Sequence, residues 1–266
     1  NEPISDFMAP DVTISAERGS IRVHGSGQAP GDLPGDGGVL NIVARAIDQD
    51  GTVDAGAGWL NYRATEADIA LTGNGAILAR GTENTPGGRV SLESFGGAIQ
   101  VGVGAVIDVA AGNQGDAGAV RLSAPTGGAV LDGSLVGTPG GGKGGDFELD
   151  TLNLENFAHW HEKLDAGGFH NEVGLRVRNG SVAIDAAVQA RVFQVYADSG
   201  DLSLQERIET GGASGARIVL AAGRDLTLSG SGSIYAPGGD VLLAARNGVL
   251  TLTDGSVVDL SGAAGG

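Results

Sequence analysis

Leu202-Ser203-Leu204, Leu226-Thr227-Leu228 and Leu250-Thr251-Leu252 write one phrase three times, 24 residues apart. Two aliphatic residues flank one small polar residue in each copy, so alternate side chains go to opposite faces, as on a strand. A fixed period of this size marks a repeat architecture in which each unit is one rung of a solenoid. The flanking text repeats too. Ile218-Val219-Leu220-Ala221-Ala222 returns as Val241-Leu242-Leu243-Ala244-Ala245, each followed by a turn with Gly223 or Gly248 and then the Leu-x-Leu pair. A third short strand follows at Ile234 or at Val257-Val258-Asp259-Leu260, giving three strands per rung.

Upstream the period lengthens to about 30 residues: Val90-Ser91-Leu92, Ile99-Gln100-Val101 and Val106-Ile107-Asp108-Val109 match Val120-Arg121-Leu122, Ala129-Val130-Leu131 and Leu135-Val136. Weaker copies start at Val12, Val39 and Leu60. The fold expected is all-β, a parallel β-helix of roughly nine to ten rungs. With strands about 4.8 Å apart, its length is on the order of 45 Å. The 49 Gly and 8 Pro residues punctuate it. They cluster at Gly31 to Gly38, Gly137 to Gly145 and Gly262 to Gly266, where corners with positive φ are expected. No composition shift divides the chain, so residues 1–266 read as one elongated domain.

The formal charge of −16, with Lys only at Lys143 and Lys163, lacks the basic footprint of a nucleic-acid binder. Aromatics make up only 4% of the chain. Small aliphatics suit a narrow solenoid interior better than a globular enzyme core. The absence of cysteine is compatible with export. Neither a signal-peptide pattern nor an apolar run of membrane length is present. Open solenoid ends expose strand edges, so the expectation is a segment excised from a longer repeat protein, prone to end-to-end association.

Residues 238–262, Gly-Gly-Asp-Val-Leu-Leu-Ala-Ala-Arg-Asn-Gly-Val-Leu-Thr-Leu-Thr-Asp-Gly-Ser-Val-Val-Asp-Leu-Ser-Gly, resemble the rung consensus of the filamentous haemagglutinin family of large bacterial exoproteins. Gly167-Gly168-Phe169 and Leu175-Arg176-Val177-Arg178-Asn179-Gly180-Ser181-Val182 resemble a segment of its long glycine-rich members. The resemblance implies a right-handed parallel β-helix exported by an outer-membrane β-barrel transporter (two-partner secretion). It implies display or release at the outer surface of a Gram-negative bacterium as an adhesin or rod, with a host-cell, glycan or bacterial surface receptor. The Asn-Pro-containing motifs of the family's amino-terminal secretion domain do not occur here, which points to a rod portion.

Three features bear on chemistry. Asp54, Asp108, Asp132, Asp185 and Asp259 recur after aliphatic residues, and stacked carboxylates serve acid/base work in pectin-processing β-helices. Cleavage also needs a cationic or His partner, and no such motif adjoins these positions in sequence. No enzyme activity is expected, although a carbohydrate-active β-helix and a passive spacer without a ligand are the alternatives. Gly141 to Leu149 nearly fits a nine-residue calcium repeat, but Glu148 stands where an aliphatic belongs and no tandem copy follows. No cofactor or metal is expected. Residues 150–174 break the rung texture. Leu154, Phe157, His161 and Leu164 recur at helical spacing, with Asn153 as N-cap and Gly167-Gly168 as stop. The expectation is a short helix laid over the side or edge of the rod, deletable without loss of strand content. His159, Trp160, His161 and His170 are its candidate partner contacts. A His-x-His pair on a helix diverges by about 200° and chelates one metal poorly.

Overall fold

The computed structural model describes residues 11–25, 37–212 and 214–261. Their 25 strands form one 13-stranded sheet and three four-stranded sheets, and one ten-residue helix, α1 (Phe157–Ala166), accompanies them. All pairings are parallel, and the chain winds a β-solenoid of about nine turns.

The repeated phrase is the register. Leu202, Leu226 and Leu250 pair in one column, and Leu204, Leu228 and Leu252 in the next. Leu226 and Leu228 are fully buried, with Thr227 between them facing away. Upstream, Val90 pairs with Val120, Ile99 with Ala129, and Ile107 with Leu135. Variation in period is absorbed by the turns, so inward side chains stay stacked while rung lengths differ. A one-residue slip would turn every apolar residue outward.

The first face is a continuous ladder of ten strands from Asp11–Val23 to Asp240–Ala245. Its first two members, Asp11–Val23 and Val39–Gln49, are long enough to turn the corner and serve the second face too. The core they enclose is mostly Val, Ile, Leu and Ala. Tyr62 is an exception. Its hydroxyl donates to Gln49 Oε1 at 2.7 Å, and Gln49 Nε2 donates to the carbonyls of Gly51 (3.0 Å) and Ala76 (2.8 Å). Buried polar groups persist when satisfied in this way.

The glycine string Gly137 to Gly145 acts differently from expectation. No residue from Gly137 to Gly145 has positive φ. Gly137 and Gly145 are small because the Phe169 ring lies where a Cβ would stand, 2.8 and 2.7 Å away. Gly37 has φ +71, as expected of a corner. The remainder of the first string up to Asp36, and Gly262 to Gly266, lie outside the described residues.

The second and third faces are each interrupted once. Ala129–Leu131 and Ser134–Val136 close the upstream blocks, and Val182–Ile184 and Val188–Gln189 open the downstream ones. The first face passes straight through, Ala119–Ala124 to Asp146–Thr151 to Glu172–Val177. Helix α1 occupies that rung where its second and third strands would be. It therefore forms part of the rod's wall, with Phe157, Trp160 and Leu164 inward and Glu162, Asp165 and Ala166 exposed, where the expectation was a helix laid over the side or edge.

Candidate functional site

Local chemistry fixes the helix. The Asn156 side chain accepts the His159 N–H at 3.0 Å, so Asn156, three residues beyond the expected Asn153, is the N-cap. At the other end Gly168 adopts φ +81, its N–H donates to the Asp165 carbonyl and the Phe169 N–H to the Leu164 carbonyl, both at 3.0 Å. This is a Schellman stop, with Phe169 as the apolar residue that follows it.

Phe157, Trp160 and Leu164 face inward and are buried. Trp160 packs 6.1 Å from Phe147, Phe147 lies 6.1 Å from Phe169 edge-on, and Phe157 lies 6.3 Å from Phe193 edge-on. Five of the chain's aromatic residues thus gather at the helix. Their bulk packs the lumen at the rung where a helix replaces two strands. Trp160, only 5% exposed, is a core residue and not the exposed edge expected of a partner contact.

The three histidines clasp the helix to its neighbouring rungs. His159 Nε2 donates to the Leu131 carbonyl at 2.8 Å and stands 3.7 Å from Asp132. Lys163 Nζ donates to the Asp132 carbonyl at 3.2 Å on the same side. His161 stacks flat on Phe157 at 5.8 Å and turns to the Ala187 backbone of the following rung. Burial pushes its pKa below the ordinary imidazole value, against the Ala187 backbone and Asp165. His170 Nδ1 lies 3.3 Å from the Gln189 carbonyl and 3.8 Å from Asp165. His159 and His161 diverge to opposite sides, as their helical spacing requires. A hollow of about 240 Å³ lies beside His159, lined also by Asn153, Asn156, Asp132 and Val130.

The recurring aspartates make turns. Asp54, Asp108 and Asp259 each accept the N–H two residues on, from Gly56, Ala110 and Ser261 at 2.8–2.9 Å. Asp54 and Asp108 do have a cationic neighbour that the sequence spacing hid. Arg80 lies between them, 3.7 Å from Asp54 and 3.9 Å from Asp108. Burial raises the Asp108 pKa despite the Ala110 N–H and Arg80. At Gly141 to Leu149, the Lys143 N–H is held by Asp116 Oδ1 at 2.8 Å and the Asp146 carboxylate by Asn171 at 2.6 Å. No group of three or more His, Asp or Glu residues that could hold a metal is found among the described residues.

A second concavity was not foreseen. A trough of about 800 Å³ crosses the outer surface of the first face, from Trp59 and Asn61 to Gln194 and Tyr196. Its middle column reads Asn61, Ser91, Arg121, Glu148, Gly174, Gln194, one residue per rung. Gly174 makes the dip: a Cβ there would meet nothing nearer than 4.0 Å. Trp59 is 52% exposed, with the Arg89 guanidinium 5.5 Å over its ring. Arg121 lies 3.8 Å from Glu148, Arg176 2.9 Å from Asp198, and Arg191 pairs with Glu172. Tyr196 donates to Gln194 Oε1 at 3.0 Å, and Asn61 to Asn41 Oδ1 at 2.9 Å.

No protein family, curated protein or solved structure matches this chain.

Proposed function

We propose that the chain is a structural and adhesive rod segment of a large secreted bacterial exoprotein of the filamentous haemagglutinin type. One observation carries the reading: a ladder of in-register parallel strands that runs unbroken through every described rung, even where a helix replaces two strands. Such a ladder is a one-dimensional spacer whose outer surface is free to vary. The rung text of residues 238–262 supports the family assignment. On this proposal the parent protein leaves the cell through an outer-membrane β-barrel transporter and acts at the extracellular face of a Gram-negative bacterium. Its partner is a host-cell, glycan or bacterial surface receptor.

The carbohydrate-cleaving alternative has Asp54, Arg80 and Asp108 in its favour. Both carboxylates hold turn N–H groups and are largely covered, with side chains 7% and 16% exposed, so neither is presented to a polymer. The proposal excludes catalysis. Beads coated with the chain should adhere saturably to epithelial cells or bacteria, and soluble chain should compete. Absence of retention on every surface would reduce the segment to a passive spacer. Product release from pectin or alginate, abolished by Asp108→Asn, would favour the enzyme.

A further inference from the structure

We propose that the outer-face trough binds an uncharged oligosaccharide laid along the solenoid axis, with Trp59 as its stacking platform. This deepens the adhesive reading by naming the receptor chemistry and the site. The six strands beneath the trough, from Trp59–Ala64 to Val192–Ala197, are each paired on both sides. No backbone N–H or carbonyl is left along their length to add a peptide strand, the usual way a sheet captures an extended peptide. Recognition must come from side chains alone.

Those side chains suit a chain of hydroxyl-bearing rings. Trp59 is about half exposed beside the Arg89 guanidinium, and an aromatic face matches the apolar C–H face of a pyranose. Asn61 and Ser91 stand one rung apart and Gln194 four rungs further along the same column, and the rung spacing of about 4.8 Å is close to the length of one sugar residue. Asn61 keeps its carbonyl oxygen to accept and Gln194 its amide to donate, because their remaining atoms are engaged by Asn41 and Tyr196. Six strands give a run of roughly 24 Å, the length of about five sugars. Gly174 leaves the floor low in the middle.

Charge selects an uncharged ligand. The lining carries Arg89, Arg121, Arg176 and Arg246 against Asp146, Glu148, Glu172 and Asp198, four charges of each sign, so the trough carries no net cationic field to draw an acidic polymer. Nucleic acid and uronate polymers are disfavoured for the same reason.

The test titrates the full chain with cello-, xylo-, manno- and maltohexaose and with a galacturonate hexamer, read by calorimetry and tryptophan emission. Trp160 is buried and serves as an internal reference for Trp59. At least one neutral hexasaccharide should bind saturably, with the same affinity at low and high salt. Trp59→Ala should weaken it at least tenfold. Gly174→Gln, which the open space at that position accommodates, should do the same with unchanged circular dichroism. Binding of none of the neutral sugars, binding of the galacturonate alone, or affinity unmoved by both variants would overturn the proposal. Bead adhesion retained by Trp59→Ala would remove the trough as receptor site while leaving the adhesive rod standing.

Discussion

Leu228 sits between Leu204 and Leu252 in a column closed on all sides, so Leu228→Asp places a carboxylate where nothing can pair with it. We expect a loss of about 3–5 kcal/mol, seen as a large drop in the chemical-denaturation midpoint. An unchanged midpoint would mean the register is wrong. Polar core positions make a finer test. Tyr62→Phe removes the donor to Gln49 Oε1 and leaves that buried oxygen unsatisfied, at about 1–3 kcal/mol. Thr210 carries the opposite flaw: its buried hydroxyl has no partner among the described residues, so Thr210→Val should be neutral or stabilising by denaturation. The leucine columns were legible because period-two alternation and the 24-residue repeat point the same way. Trp160 was misplaced because Phe157, His161 and Leu164 already satisfied helical spacing. Phe157, Trp160 and Leu164 satisfy it equally, and with two aromatics that stripe is the more apolar. Arg80 was missed because its partners, Asp54 and Asp108, are brought together only by stacking two rungs apart.

Helix α1 was legible as an element, through its period, its glycine stop and the break in rung texture, but not in its place. Sequence periodicity gives which residues share a face; it does not give what that face meets. Removal of residues 152–168 would expose Phe147 and Phe193, so we expect both flanking blocks to lose stability together, against the expectation of an inert decoration. The clasp also gives the helix rung a pH dependence. His161 has a folded pKa below its ordinary value of 6.5 because burial disfavours the imidazolium. The unfolded chain therefore takes up the proton first. Stability is complete above about pH 6.5 and declines as pH falls toward the folded pKa. Asp165 and His170, the charged neighbours that face it, oppose each other. Melting temperature should drop between pH 7 and 5.5, and His161→Phe should flatten that drop. Asp108 and Asp146, raised mainly by burial, act with the opposite sign. They add stability only as pH falls through their folded values toward 3.8. A pH profile unaffected by His161→Phe would remove the clasp.

On the scale of the molecule, translation along one axis is the organising fact. The last described rung leaves Leu250, Leu252 and Val258 41%, 51% and 37% exposed, and the first strand leaves Val12 and Ile14 near half exposed. Parallel edges of this kind pair head to tail and do not close on themselves. Light scattering should show mass rising with concentration, and Leu252→Lys should suppress the rise; a strict monomer throughout would contradict it. The sequence made the axis and the rung count readable because every rung repeats the same chemistry. The outer-face trough was not readable, because its lining is drawn one residue per rung from positions that look like ordinary solvent-facing polar text until they are stacked. The central claim is that this stacking passes in register through the helix-bearing rung, and the absence of native cysteine allows a direct measurement. Glu148 and Gly174 face each other on adjacent strands although the whole helix lies between them in sequence, whereas Arg121 and Gly174 are two rungs apart. With a short bis-thiol cross-linker, Glu148→Cys paired with Gly174→Cys should bridge across the single rung spacing of about 4.8 Å. Arg121→Cys paired with Gly174→Cys should not. A bridge in the second pair with none in the first would contradict the ladder and the rod built on it.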